Sequence, residues 1–290
     1  MAATLDKVYF SRSPWAKRLA KALADLSASG RGGAFTRGHV GVIRELLEDR
    51  DAGPRAVINI GADALLEFLR TGRYKNIYEK PIVGGESRTP TPERRQVDGW
   101  LELEKPAETY FAAVALGGAG VRFYGEYCMV LHPANVPGGT RLFDRDSYDL
   151  LLPPLAGRSD AGTRRLVATL RGTWDTDLVD MLLLKMLPRL PETHHLITSG
   201  QVSNLVMTDQ EFVEVHLQGA IARNHIEEVR QLPEEAAVEA SISQRRTAHQ
   251  PPSLVELLWL SRRREVAQEL AAHQLPYRLA TSGGKGYQWA

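Results

Sequence analysis

Cysteine is almost absent. Cys128 is the one thiol in 290 residues, so no internal disulfide can form and a cysteine-based zinc site has too few ligands. It stands in the apolar run "GEYCMVLHP". A buried small hydrophobe is the plain reading there, because a nucleophilic thiol needs a positioned base. An excess of one charge is also absent. The formal net charge is +1, too little to steer the chain toward nucleic acid or an anionic membrane. No stretch reaches the ~20 apolar residues that span a bilayer. "YFAAVALGGAGV" is short and glycine-rich, and Lys185 and Pro188 interrupt "DMLLLKMLPRL". Residues 1–26 show no long apolar core ahead of a small-residue cleavage site. No secretory signal is therefore expected, and the protein is expected in a cytoplasm, its own or a recipient's, away from membrane.

The common phosphate motifs are missing as well. "GGAGVRFYG" and "TSGGKGYQ" hold glycines without the spacing of a phosphate loop feeding a helix. His194-His195 lacks the helical His-Glu-x-x-His pairing of a zinc site, and no Gly-x-Ser-x-Gly elbow occurs. No metal is expected. There is no repeat of fixed period and no low-complexity tract.

What remains is ordinary soluble composition: 43% hydrophobic and 24% charged residues. The length suits one large domain, or a catalytic domain with an appendage. Residues 11–53 read as helices. In "SPWAKRLAKALADL", Ser13 is a cap, Pro14 the first helical residue, and Leu19, Leu23 and Leu26 share a face. "PRAVINIG" is a short β-branched run, and "ADALLEFLRTGRY" is a helix ended by Gly72. "EKPIVGGESRTPTPERR" reads as a loop. Residues 109–150 read as strands separated by Gly117-Gly118 and Pro137-Gly138-Gly139, and residues 160–196 return to helix. The tail holds two more helical stretches and ends in "PYRLATSGGKGYQW", a small hairpin by its pattern. The boundaries are an N-terminal helical lobe over 1–54, a mixed core over 55–232 and a C-terminal helical extension over 233–290.

One strand raises a chemical question. "DQEFVEVHLQG" alternates, with Val213, Val215 and Leu217 on one face and Phe212, Glu214, His216 and Gln218 on the other. A face carrying Glu, His and Gln either meets solvent or lines a cleft where a carboxylate does chemistry. Elsewhere Glu126 in "YGEY" reads as a solvated strand residue, with the cleft as its other reading. "SRRREVAQEL" reads as a solvated helix face, with a nucleic-acid contact as the alternative.

The order of four segments is informative: "GRYKNIYEKPIVGG", "YFAAVALGGAGVRFYGEYCMVLHP", "RLFDRDS" and "EFVEVHLQGAIARNHIEEVRQLP". Together they resemble a family of uncharacterised bacterial and fungal proteins that looks like a distant branch of the ADP-ribosyltransferase superfamily. The resemblance covers about residues 55–232. Its best-matched piece is Phe212-Val213-Glu214 running to Gly219. Tyr74, Tyr78 and Glu79, the Tyr124-Gly125 turn and Asp146-Ser147 also align.

The resemblance implies an α+β core of two small, split, strongly bent sheets, with NAD held between them as substrate. It implies ADP-ribosyl transfer to a protein or nucleic-acid acceptor, or NAD hydrolysis. If the chain is deployed as a toxin or effector, it also implies a cognate inhibitor or immunity protein. Glu214 takes the place of the superfamily's catalytic glutamate, with His216 as a substrate-side base. Tyr74 and Tyr78 are candidates to stack on nicotinamide, though core packing also explains their helical spacing. Arg73, Arg94 and Arg95 are candidates for the pyrophosphate, and Gly84, Tyr124 and Ser147 complete the cofactor-binding set. The sequence also departs from the pattern. Gly61 and Ala64 stand where a His and an Arg are usual, no hydroxyl follows the tyrosine pair until Ser87, and Phe212 replaces the polar residue that arginine-modifying relatives carry. The alternative is a catalytically inactive nucleotide- or protein-binding module on the same fold.

Overall fold

The computed structural model describes residues 13–29, 34–49, 53–79, 90–153, 155–189, 211–247 and 251–280. Within them the chain is α+β, with eight α-helices and one eight-stranded mixed sheet. No helix among these residues is long and apolar enough to cross a membrane.

The local signals explain most elements. Ser13 caps α1 (Pro14–Ala28) by accepting from the Trp15 N–H at 3.1 Å, with Pro14 in the turn that needs no N–H. α2 (Ala34–Glu48) leads to β1 (Arg55–Ile60) and α3 (Ala62–Thr71). Gly72 ends α3 at φ 75°, donating its N–H to the Phe68 carbonyl at 2.8 Å. Residues 92–95 were expected in a loop and are instead the first turn of α4 (Pro92–Trp100). Thr91 caps it by accepting from the Arg94 N–H at 3.2 Å, and Pro92 opens it. This Thr-Pro-Glu start is a helix signal that the neighbouring glycines and prolines mask.

The remaining elements are β2 (Thr109–Ala115), β3 (Tyr127–Leu131), β4 (Arg141–Phe143), α5 (Asp160–Leu170), β5 (Arg171–Thr173), α6 (Trp174–Met186), β6 (Glu214–Gln218), β7 (Ile226–Gln231), α7 (Pro233–Thr247), α8 (Leu254–Ala272) and β8 (Tyr277–Leu279). The strand order is β5-β4-β6-β2-β1-β3-β7-β8. Neighbours run antiparallel except β7 and β8, which are parallel. Residues 277–279 thus extend the sheet rather than starting a local hairpin; residues 281–290 lie outside the described set.

One face of the sheet carries the main core. Ile58, Val114, Met129 and Val215 from the strands meet Trp15 of α1, Ile43 of α2, Leu65 of α3, Met181 of α6 and Val266 of α8. Each such side chain contributes ~1.5–3 kcal/mol on burial. The N-terminal lobe and the C-terminal extension therefore share a core with the middle of the chain. α8 is tied further by Arg263, which reaches Glu239 at 2.7 Å and Glu235 at 3.0 Å on α7. The other face carries two smaller clusters, one around Val57, Cys128 and Phe212, the other around Val97, Phe143 and Val167.

The resemblance implies two separate sheets, whereas these strands join in one ladder. The joint is narrow. β1 pairs β2 only over Arg55–Val57 against Ala113–Ala115. From there β1 continues along β3 to Ile60, and β2 continues along β6 to Thr109. The two central strands splay apart, and their facing backbone edges leave the ladder.

Over β1 and β3, on the second face of the sheet, runs the segment from Leu116 to Gly125, and Asn59 of β1 fastens it. The Asn59 amide donates to the Ala119 carbonyl at 2.8 Å and the Gly125 carbonyl at 3.1 Å, and accepts from the Val121 N–H at 2.7 Å. Gly125 sits at φ 152°, ψ 160°, a region all but reserved for glycine, and an added Cβ would overlap the Ile60 backbone. Gly125→Ala is therefore expected to lower stability by ~2 kcal/mol or more, combining backbone strain and overlap. Gly139→Ala, where an added Cβ meets nothing within 4 Å, should stay within ~0.5 kcal/mol of wild type. Urea midpoints of the two variants test the contrast.

Candidate active site

Glu214 and His216 lie two residues apart on β6, so they share a face of the sheet. That face is not wet: Glu214 is 5% exposed and His216 4%. A buried carboxylate needs partners, and three groups supply them. His216 Nε2 donates to Glu214 Oε1 at 2.6 Å, the tautomer assigned because an ionised carboxylate only accepts. Ser147 donates to Oε2 twice, from its N–H at 3.2 Å and its hydroxyl at 3.1 Å.

The support reaches further back. Arg94 Nη1 donates to the Ser147 hydroxyl at 3.2 Å, and Nη2 pairs with Asp98 one turn along α4. Tyr78 donates its hydroxyl to the other Asp98 oxygen. The guanidinium lies 4.0 Å over the Phe111 ring and 5.2 Å from the Tyr148 ring. Burial lowers its pKa, but the Glu214 charge and the Asp98 pairing outweigh this, so the net shift is upward. Arg94 Nε makes no hydrogen bond among the described residues. His216 is fixed from both sides, with Phe111 edge-on at 5.2 Å and Phe143 stacked at 6.4 Å.

Glu214 faces a cavity of about 200 Å³ in the split between β1 and β2. Asn59 lines one side and Tyr110 and Phe111 the other, with Tyr74, Tyr124 and Phe212 adding aromatic surface. The cavity lies where the two smaller clusters fail to meet. Asp146 also lines it, one residue before Ser147. Its Oδ1 accepts from the Tyr148 N–H at 2.9 Å, capping the short 3-10 turn Ser147–Leu151, and its Oδ2 accepts from the Tyr124 hydroxyl. Burial first and the Glu214 charge second push the Asp146 carboxyl up to about 6. Burial and the Asp146 charge raise the Tyr124 phenol in turn, and burial pushes Tyr74 up to about 12.

Of the candidate catalytic and cofactor-binding residues, Glu214, Tyr74, Arg94 and Tyr124 reach the cavity wall. His216, Ser147 and Tyr78 stand behind it and hold what faces it. His216 does not line the cavity, because its place on β6 turns it between two phenylalanines. Tyr74 also packs against Phe68 and Tyr110 at 6.3 and 6.0 Å. Arg73 is exposed and paired with Glu79, and Arg95 is exposed on the outer side of α4. Neither lines the cavity. Gly84 and Ser87, like His194-His195, lie outside the described residues. Glu126 faces away from the cleft. It accepts from the Ala62 N–H at 3.2 Å at the start of α3 and lies 3.5 Å from Arg263. Cys128 is fully buried in β3, and burial pushes its thiol up to about 12.

Two groups went unread as site residues. Asp98 is signalled only by its four-residue spacing from Arg94, which pays no notice once that stretch is taken for loop. Asp146 aligns with the resemblance beside Ser147, but nothing local shows that it faces Glu214.

Comparison with family models, with curated proteins and with solved structures finds no match to this chain.

Arg94 and Asp98 form a buried pair, each 3% exposed. Asp98→Ala leaves the guanidinium without its counter-charge and should cost about 3–5 kcal/mol. Replacing both, as Arg94→Met with Asp98→Leu, should recover part of that cost, because neither member of the pair is left alone, but not all of it, because Glu214 then loses the cation that faces it. A urea-denaturation cycle over the single and double variants measures the difference.

Proposed function

We propose that this chain binds NAD in the split between β1 and β2 and breaks the nicotinamide–ribose bond, passing ADP-ribose to a macromolecular acceptor or to water. The observation that carries the reading is Glu214. It is a carboxylate fixed by Ser147 and His216 and turned into an aromatic-walled cavity between two diverging strands. The ordered resemblance of residues 55–232 to the ADP-ribosyltransferase superfamily supports the same assignment.

The chemistry suits a fixed anion. As the bond to nicotinamide lengthens, positive charge grows on the ribose ring, and a carboxylate already in place stabilises it without reorganising. Nicotinamide leaves neutral, so no proton need be given to it. Tyr74, Phe111 and Phe212 offer flat apolar surface for an aromatic leaving group. The sequence lacks the hydroxyl-rich turn that the resemblance leads one to seek, and Ser147 supplies a hydroxyl beside Glu214 from another segment.

Purified protein should melt at higher temperature in millimolar NAD, by the equivalent of about 2.7 kcal/mol at a hundred times the dissociation constant. It should also release nicotinamide. Glu214→Gln keeps the shape and removes the charge. It should lower turnover about a hundredfold or more and change NAD affinity far less, since the charge it meets exists fully only in the transition state. Stabilisation by NAD with no nicotinamide release would favour a binding module. No stabilisation and no release would remove NAD from this cleft.

A further inference from the structure

We propose that Asp146 is the general base of this site, taking the proton from the hydroxyl nucleophile that replaces nicotinamide. The inference rests on the NAD reading and goes beyond it by assigning the second half of the reaction. Asp146 and Glu214 line the same cavity. They are tied through adjacent residues, because Ser147, which holds Glu214, follows Asp146 directly. The two carboxylates differ in how they are engaged. Glu214 is bound on both oxygens by three donors of the supporting layer. Among the described residues, Asp146 has one donor on each oxygen, the Tyr148 N–H and the Tyr124 hydroxyl. A carboxylate offers about four lone-pair directions, so Asp146 keeps acceptor capacity for a water in the cavity.

His216, the base suggested by the sequence, is not available. Its Nε2 is used on Glu214, and its ring is enclosed by Phe111 and Phe143. The groups facing Asp146 are Glu214 from β6, Tyr124 from the segment before β3, and Tyr148 and Asp149 from its own turn. Arg94 from α4 faces Glu214, and Arg145 pairs with Asp144. With its carboxyl raised to about 6, Asp146 is ionised at neutral pH yet basic enough to accept a proton, the range in which general bases work best.

The step balances with water as nucleophile. The C1′–N bond of the nicotinamide riboside breaks, and its electron pair stays with nicotinamide. A water oxygen forms the new C1′–O bond, and the water proton passes to Asp146 and then to solvent. Nothing is oxidised or reduced.

Nicotinamide release is followed against pH for the wild type, Asp146→Asn and Tyr124→Phe, each with a melting curve. Wild-type turnover should fall as pH drops through about 6. Asp146→Asn should lose about 10²–10⁴-fold and lose that acid limb, with little change in NAD affinity. Tyr124→Phe should move the limb to higher pH, because the lost hydroxyl bond favoured the ionised form. Azide, a nucleophile with no proton to lose, should restore turnover to Asp146→Asn but not to Glu214→Gln. An active wild type whose Asp146→Asn variant keeps its rate and limb, or fails to respond to azide, overturns this role alone. A wild type that releases no nicotinamide overturns the NAD reading and this role with it. Should Asp146→Asn fail to fold, an unmoved limb in folded Tyr124→Phe decides against the proposal.

Discussion

Taking the Glu214 carboxylate out of water costs several kcal/mol, and much of the second face of the sheet is arranged against that cost. The answer is a chain of hydrogen bonds that starts at Tyr78 and ends on the two Glu214 oxygens. Tyr78 and Asp98 orient Arg94, Arg94 orients Ser147, and Ser147 meets Glu214 from one side while His216 meets it from the other. The members come from four stretches of chain: the segment after α3, α4, the turn after β4, and β6 itself. A carboxylate held this way has little freedom to relax toward a passing cation. That is the property expected of a group that stabilises charge rather than one that moves.

The space in front of Glu214 has a separate origin. A sheet with full pairing leaves no room between adjacent strands, which stand ~4.8 Å apart. Here β1 and β2 keep that spacing for three residue pairs and then follow different neighbours. The resulting wedge opens onto the cavity, and Asn59 holds the segment that carries Val121 and Tyr124 against its wall. The fold thus makes the cleft by ending a ladder early, and it makes the wall rigid by continuing both strands into other ladders.

Local rules read the scaffold well. Ser13-Pro14, Gly72 and the alternation of residues 212–218 each name their element because cap, stop and period are properties of a few adjacent residues. They also isolated Glu214, since a glutamate and a histidine on one face of a strand ask for an explanation. Two things failed to show. The alternation could not say whether that face was wet, because the answer depends on α4 and the turn at 147–151, which are distant in sequence. The pairing of Asp146 with Glu214 was hidden for the same reason: residues 67 positions apart along the chain, such as Ser147 and Glu214, carry no periodicity that links them. The error over α4 was different in kind. The helix signal was present in Thr91-Pro92 and lost among breaker residues on its N-terminal side.

The parallel pairing of β8 with β7 has a consequence for how the chain folds. β7 is complete at Gln231, but its outer edge waits for residues 277–279, and the main core waits for Val266 and Leu270 of α8. A nascent chain that has reached residue 250 holds seven of the eight described strands, with the β7 edge open as well as that of β5 and an unfilled patch over α3. Open edges and uncovered apolar surface are what draw chains into aggregates. Synthesis of this protein should therefore engage chaperones late, on a nearly finished domain, and a truncation that spares every residue of the cleft would still uncover the β7 edge and the apolar surface under α8.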